Sequence, residues 1–324
     1  MCAIFGLLDF KGRLTASERL RIIRALGKAS EVRGTDATGI AYVQDGAIRI
    51  QKAPRPARRM KYRIPPEARY IMGHTRMATQ GAAGKNYNNH PFPGKAGKLP
   101  FALAHNGVLF NDHELRRTHH LPDTKIETDS YVAVQLIEEE GKLSADSLQI
   151  MAEALDGTFT ITVLDSKGNL YFVKGNNPLT IYLIPSLGCY VYASTKAILD
   201  TALAELGLTS VSKATVAISQ GDIMQFDCTG KRVVSRFDDA KLVFQDYYSG
   251  FGGWHRPYQT HFAYKENDYL EEVVQYGLSK GVPEAELHLL INAGYDALDL
   301  EELLYDAPLR ANCVREIISD LGVC

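Results

Sequence analysis

Between residues 157 and 226 the chain runs through short apolar stretches: Thr158–Asp165, Leu170–Lys174, Thr180–Ile184, Tyr190–Ala193 and Asp222–Phe226. One helical stretch, Lys196–Glu205, interrupts them. Several hairpins mixed with helices indicate an α/β or α+β layered domain and not a regular βαβ repeat. The N-terminal half has the same texture. Residues 3–9 read as a short buried strand. Ser17 is expected to cap a helix whose period shows in Leu20, Ile22, Ile23 and Leu26. Asp45-Gly46 marks a hairpin turn between strands 39–43 and 48–50. Tyr70–His74 and Leu99–Ala104 are further strands, and residues 130–140 and 144–155 carry helical patterns.

Near residue 240 the character changes. Residues 1–240 form the expected main domain, and 241–265 a Gly- and aromatic-rich linker containing the single tryptophan. Residues 266–324 form an expected helical C-terminal extension, with Pro283 in the first turn of its second helix. A unit of that size is marginally stable alone. It is expected to pack on the main domain or on a partner.

Net charge is −2, so nothing global points to nucleic acid or to an acidic membrane. Five cysteines at wide spacing, without CxxC, argue against a disulfide framework or a structural zinc site and favour a reducing, cytoplasmic setting. No apolar run approaches the ~20 residues of a membrane span. The N-terminus does not read as a signal peptide. No cofactor and no metal are called for. Residues 52–69 hold seven Lys or Arg against one acid, Glu67; they read either as a solvated surface or as a docking patch.

Cys2 directly follows Met1. With Met1 removed, one residue carries a thiol nucleophile and an α-amine able to act as its base. An α-amine has a pKa of about 7.7–8.0, so roughly a tenth or more is neutral at pH 7. Cys2 also reads as a small apolar residue opening a strand. Four further stretches bear on it: Arg33-Gly34-Thr35-Asp36-Ala37-Thr38-Gly39, Gly73-His74-Thr75-Arg76-Met77-Ala78-Thr79, His105-Asn106-Gly107 and Glu127-Thr128-Asp129. Taken singly, Asn106-Gly107 is equally a type I′ turn, and Arg76 and Asp129 equally form structural ion pairs.

Together, in this order behind a second-position cysteine, they resemble the class II glutamine amidotransferases. The likeness runs from residue 1 to about residue 228, through Gly157-Thr158-Phe159, Asn177-Pro178-Leu179 and Gly221-Asp222-Ile223. The resemblance implies an α+β fold, the four-layer αββα sandwich of the N-terminal nucleophile hydrolases. It implies that Cys2 attacks the side-chain amide of L-glutamine and forms a thioester. Asn106 and the Gly107 N–H would hold the oxyanion, each such donor contributing about 3–4 kcal/mol. Arg76 would bind the substrate carboxylate and Asp129 its ammonium, with Thr79 and Gly81 adding contacts. Arg33 and His90 would support the site, and residues 80–89 would form a lid. Ala3 stands where the family usually has Gly, and Met77 where it often has Trp.

The residues after 228 contain no phosphate-binding glycine loop, so a separate ammonia-accepting synthase is the expected partner. Two other readings stay open: an N-terminal cysteine hydrolase of another amide, such as a γ-glutamyl peptide, and a non-catalytic scaffold.

Overall fold

The computed structural model describes residues 2–78, 80–242, 266–293, 295, 300, 303–304 and 307–320. Met1, Thr79, Cys324 and all but the first two residues of the 241–265 stretch lie outside the described residues. The chain divides into two compact units, Met1–Val243 and Phe244–Cys324.

The first unit holds two antiparallel sheets. One comprises β1 (Ala3–Leu8), β2 (Ala37–Gln44), β3 (Ala47–Ala53), β4 (Tyr70–Arg76), β9 (Thr180–Ile184), β10 (Cys189–Ala193) and β11 (Ala214–Thr215), in the order β11-β9-β10-β1-β4-β2-β3. The other comprises β5 (Phe92–Ala96), β6 (Leu99–Leu109), β7 (Gly157–Asp165), β8 (Leu170–Lys174), β12 (Asp222–Phe226) and β13 (Arg232–Arg236), in the order β13-β12-β8-β7-β6-β5. The helices are α1 (Ala16–Ala29), α2 (Asp112–Thr118), α3 (Tyr131–Glu139), α4 (Ala145–Ala154) and α5 (Lys196–Glu205).

Three apolar layers explain why the strands read as nearly continuous hydrophobic runs: both faces of each sheet are covered. Side chains alternate along a strand. From β1, Ala3, Phe5 and Leu7 pack with Ile22, Ile23 and Leu26 of α1 and Ile198, Leu199 and Leu203 of α5. Ile4 and Leu8 face the other way and meet Ala102, Ala104, Leu164 and Phe172 of the second sheet. The outer face of that sheet, with Phe159, Ile161 and Val163 of β7, packs against Val132, Leu136 and Ile137 of α3 and Leu148 and Met151 of α4. The order is therefore helix, sheet, sheet, helix, the expected four-layer α+β sandwich. Each fully buried aliphatic side chain in these layers contributes about 1.5–3 kcal/mol.

Two local expectations are corrected. Thr15, not Ser17, caps α1. Its hydroxyl accepts from the Glu18 N–H at 3.2 Å while Glu18 Oε2 accepts from the Thr15 N–H at 2.7 Å, a reciprocal capping box. Strand β6 does not stop at Ala104 but continues to Leu109, pairing Asn106 with Thr160 and Gly107 with Phe159. Asn106-Gly107 is therefore mid-strand and not a hairpin turn.

In the second unit the described helices are α6 (Glu266–Ser279), α7 (Glu284–Asn292) and α8 (Ala307–Asp320). Val273, Tyr276, Leu287, Leu290 and Leu303 are buried, and Arg310 Nε donates to Glu286 Oε1 at 2.6 Å. No helix among the described residues is long and apolar enough to cross a membrane.

Candidate active site

The antiparallel register brings one end of β1, β2 and β4 together. Ala3 pairs with Thr75, and Thr38 pairs with Thr75 from the other side. Cys2, one residue before β1, therefore lies beside Arg76, the last residue of β4. Its thiol donates to the Met77 carbonyl at 3.5 Å. Its own carbonyl accepts from Arg33 Nε at 2.7 Å. Arg33 is almost fully buried, so this bond fixes the backbone of Cys2 from inside the fold. Asp36 holds the opposite strand end: its N–H donates to the Arg76 carbonyl at 2.9 Å, and its Oδ2 accepts from the Ala78 N–H at 2.8 Å.

The second sheet supplies Asn106 and Gly107. Asn106 Nδ2 lies 3.4 Å from Ser194 Oγ, and the same oxygen accepts from the Ile4 N–H at 2.9 Å. One hydroxyl thus ties Asn106 to the strand that Cys2 opens. The Asn106 carbonyl accepts from Asn177 Nδ2 at 2.9 Å, and the Asn177 carbonyl accepts from Thr160 Oγ1 at 2.6 Å. Gly107 has φ +141°, and a Cβ there would stand 1.9 Å from the Thr158 carbonyl oxygen. Only glycine meets both conditions while the strand keeps pairing.

Arg76 is buried, and its guanidinium is bound to the following loop. Nη1 donates to Asn89 Oδ1 at 2.7 Å, and Nη2 donates to the Gly81 carbonyl at 2.8 Å and to the Gln80 carbonyl. Burial works against its charge, and the neighbouring Cys2, Asp129 and Asp36 favour it. Gly81 turns the loop with φ +76°. Asn88 pins the loop to the 127–129 segment, accepting from the Glu127 N–H at 2.9 Å and donating to Glu127 Oε2 at 2.8 Å.

Asp129 Oδ2 accepts from the Leu109 N–H at 2.7 Å. Its Oδ1 is 3.2 Å from Ser130 Oγ, which is also 2.8 Å from His105 Nδ1. His105 Nε2 faces the Thr158 carbonyl at 3.2 Å. A carbonyl only accepts, so Nε2 carries the proton, an assignment made from the network. Burial pushes the His105 pKa down and keeps the ring neutral, so Nδ1 accepts the Ser130 proton. Asp129 Oδ1 lies within hydrogen-bond distance of the same hydroxyl, and the Asp129 charge is among those that favour the Arg76 guanidinium.

His90 is fully desolvated between His74 and Phe92, with ring centroids at 4.3 and 4.4 Å. Neither ring nitrogen has a hydrogen-bond partner. Burial holds its pKa well below the usual value, and lowers that of His74 to about 3. His90 is thus part of a neutral histidine layer under the loop.

Of the expected site residues, Cys2, Arg33, Arg76, Gly81, Asn106, Gly107 and Asp129 occupy the Cys2 end of the sandwich, with His90 beneath them; Thr79 lies outside the described residues. Ser194, Asp36 and Ser130 were not singled out as site residues. Ser194 closes β10 as an ordinary-looking serine, and nothing local marks it. Asn177 stands in a motif that the resemblance included, without a role. Among the described residues no group of three or more His, Cys, Asp or Glu is placed to hold a metal ion.

No family model matches the chain. Curated relatives do. Glutamine–fructose-6-phosphate aminotransferase (isomerizing) of Sulfolobus acidocaldarius is 29% identical over 238 residues, 68% of this chain and 39% of that protein. The enzymes of the same name from Sulfurisphaera tokodaii and Staphylococcus epidermidis are each 32% identical over 192 residues, 56% of this chain and 32% and 30% of theirs. The chain thus spans less than half the length of these relatives. Among solved structures, glutamine phosphoribosylpyrophosphate amidotransferase from B. subtilis, complexed with ADP and GMP, aligns with a TM-score of 0.59 at 19% identity, covering 73% of this chain and 49% of that one. A structure described as the allosteric regulatory enzyme of purine biosynthesis aligns equally, at 20% identity. At such identities the structural match speaks for the fold alone. Sequence likeness and fold agree: the first unit is similar in sequence to glutamine–fructose-6-phosphate aminotransferases and shares the two-sheet fold of glutamine phosphoribosylpyrophosphate amidotransferase, the N-terminal nucleophile amidotransferase sandwich.

Proposed function

We propose that this domain hydrolyses L-glutamine to glutamate and ammonia through a thioester on Cys2. The observation that carries the reading is the Ser194 hydroxyl shared between Ile4 and Asn106, which joins the Cys2 strand to an amide donor beside Arg76 and Asp129. With Met1 removed, the Cys2 α-amine takes the thiol proton and the sulfur attacks the amide carbon. The carbon–oxygen electron pair moves onto oxygen, where Asn106 Nδ2 and the Gly107 N–H receive it. The C–N bond then breaks, and the amine leaves as ammonia with the proton from the α-amine. Water adds to the thioester, releases glutamate and restores the thiol.

Substrate recognition follows the same geometry. A guanidinium has five N–H donors, and three of those on Arg76 are engaged by the loop. Two remain for the substrate carboxylate, so loop and substrate share one arginine. Asp129 Oδ1 takes the substrate ammonium. Gly81 adds a contact, and Thr79 is assigned one by the family resemblance alone.

We further propose that the ammonia goes to a separate synthase protein in the cytoplasm. The likeness to an aminotransferase covers 68% of this chain and 39% of that protein. A glutamine-dependent amination activity that always fractionates with this chain alone would overturn that step.

The test of the chemistry is direct. Intact-mass measurement is expected to show loss of one Met, and purified protein to release ammonia and glutamate from glutamine. Cys2→Ala is expected to lower that release by at least about 1,000-fold. Unchanged release, or full retention of Met1 in active protein, sinks the mechanism. Faster turnover of a γ-glutamyl peptide than of glutamine would move the assignment to a peptide hydrolase.

A further inference from the structure

The two sheets share an edge at β3 and β5, and there the layer between them opens to solvent. Ile48 and Ile50, on the inner face of β3, are only partly buried, although they pack against the inter-sheet core. Together with Met60, Phe101 and Ile126 they floor a cavity of about 950 Å³. That size lies at the upper end of small-molecule sites. Its rim carries Lys52, Arg55, Lys61, Arg63 and Lys125, and no acidic residue lines it. Most of the basic 52–69 stretch is therefore gathered around one opening. None of the five cations has a carboxylate within ion-pair distance among the described residues. Like charges held together without counter-charges favour an anion between them.

We propose that this cavity binds a phosphorylated small molecule with a flat, apolar body, of the nucleotide class, and that its occupancy is felt at Arg76. The body fits the apolar lining of Ile48, Ile50, Met60 and Ile126 beside the Tyr87 ring, where Lys125 Nζ already lies 5.2 Å from the ring centroid. The phosphates fit the cationic rim. The volume exceeds what an inorganic anion needs and matches a small organic molecule.

The link to the site runs through Lys52 and the loop. Lys52 Nζ donates to the Asn89 carbonyl at 2.6 Å and to the Pro91 carbonyl at 3.2 Å, and the Lys52 carbonyl accepts from Asn86 Nδ2 at 2.8 Å. Asn89 Oδ1 in turn accepts from Arg76. Asn86 and Tyr87 belong both to the cavity wall and to the loop. Burial, and secondarily the charge of Arg76, lowers the Lys52 pKa to about 8, so the group is still mostly an ammonium near pH 7 and a nearby anion offsets the burial that works against its charge. An anion drawing Lys52 toward the rim loosens the Asn89 carbonyl, and with it the latch on Arg76.

Binding is tested without reference to catalysis. Equilibrium dialysis of the full chain with labelled ATP is expected to show one saturable site. Adenosine and inorganic triphosphate should each bind at least tenfold more weakly. Lys61→Glu/Arg63→Glu should weaken ATP binding at least tenfold while leaving the thermal melt in place; Lys61→Gln/Arg63→Gln, which removes the charges without reversing them, should give an intermediate loss. No saturation by 1 mM ATP, equal binding of triphosphate alone, or undiminished binding by folded double variants each overturns the proposal. The second arm rests on the glutaminase reading: saturating ATP should change the KM for glutamine at least threefold in the parent and not in the variants. Binding without that change overturns the coupling. Absence of glutaminase activity under any condition is instead a failure of the parent reading and leaves the dialysis result standing.

Discussion

The floor and the roof of the candidate site are built by different means. The floor is strand backbone: Cys2 at the head of β1, Arg76 at the tail of β4, and Asn106 and Gly107 inside β6, all set by ladder register. The roof, residues 80–89, is held by side chains: Arg76 to Gln80, Gly81 and Asn89, and Asn88 to Glu127. Its Lys85–Glu127 ion pair is solvent-exposed and adds little. A floor of this kind breaks with the fold, whereas the roof can be loosened alone. The candidate site thus combines a floor set by strand register with a roof held by side-chain hydrogen bonds.

The largest test strikes the floor. Gly107→Ala must put a Cβ against the Thr158 carbonyl at positive φ, so a loss of ~3 kcal/mol of stability is expected in urea melts. A variant as stable as the parent would show that β6 has slack there. Next is the histidine layer joining floor and roof. His74, His90 and His105 are all held neutral by burial, with His74 at about 3. Their folded pKa values lie below the unfolded value of about 6.5, so the unfolded chain binds more protons in between. Stability is full above that value and falls as pH drops below ~6.5, for His74 down to about 3 and by up to ~1.4 kcal/mol per pH unit, with His90 and His105 contributing in the same direction. Melts at pH 7.5 and 5 check this; equal stability would mean the rings are already solvated.

Third, Arg33→Lys should lower kcat about 100-fold with little change in KM, because the bond it alters holds the Cys2 carbonyl and not substrate. An equal rise in KM would assign Arg33 to the roof instead. The smallest expected effect is that of Asn89→Ala, which removes one Arg76 partner: about a tenfold change in KM, with kcat within threefold. A large fall in kcat would show that the loop shapes the reaction centre and does not merely cover it.

The floor was largely legible in the chain. Leu170–Lys174, Thr180–Ile184, Asp222–Phe226 and Lys196–Glu205 have the bounds their patterning predicts, because apolar runs bounded by turn residues declare buried strands. Where sheet pairing decides, local signals mislead. Asn106-Gly107 has turn chemistry, yet pairing with β7 carries the strand through it. The edge strands β11 and β13 are short or exposed and carry no clear alternation. Ser17 looked like a cap, but the Thr15–Glu18 pair satisfies both N–H groups at once and starts the helix earlier. In the site, residues with unusual chemistry stood out and common ones did not. Ser194 and Asp36 act through single hydrogen bonds to partners far away in sequence, which no local pattern encodes.

Ser194 also sets an order of assembly. Its hydroxyl accepts from Ile4 across 190 positions, and its N–H returns to the Ile4 carbonyl at 3.0 Å. A nascent chain can expose Cys2 early, but it cannot join the head of β1 to Asn106 until residue 194 has left the ribosome and β10 has docked. The Cys2 end of the two sheets is therefore brought together late in synthesis, when the sandwich closes.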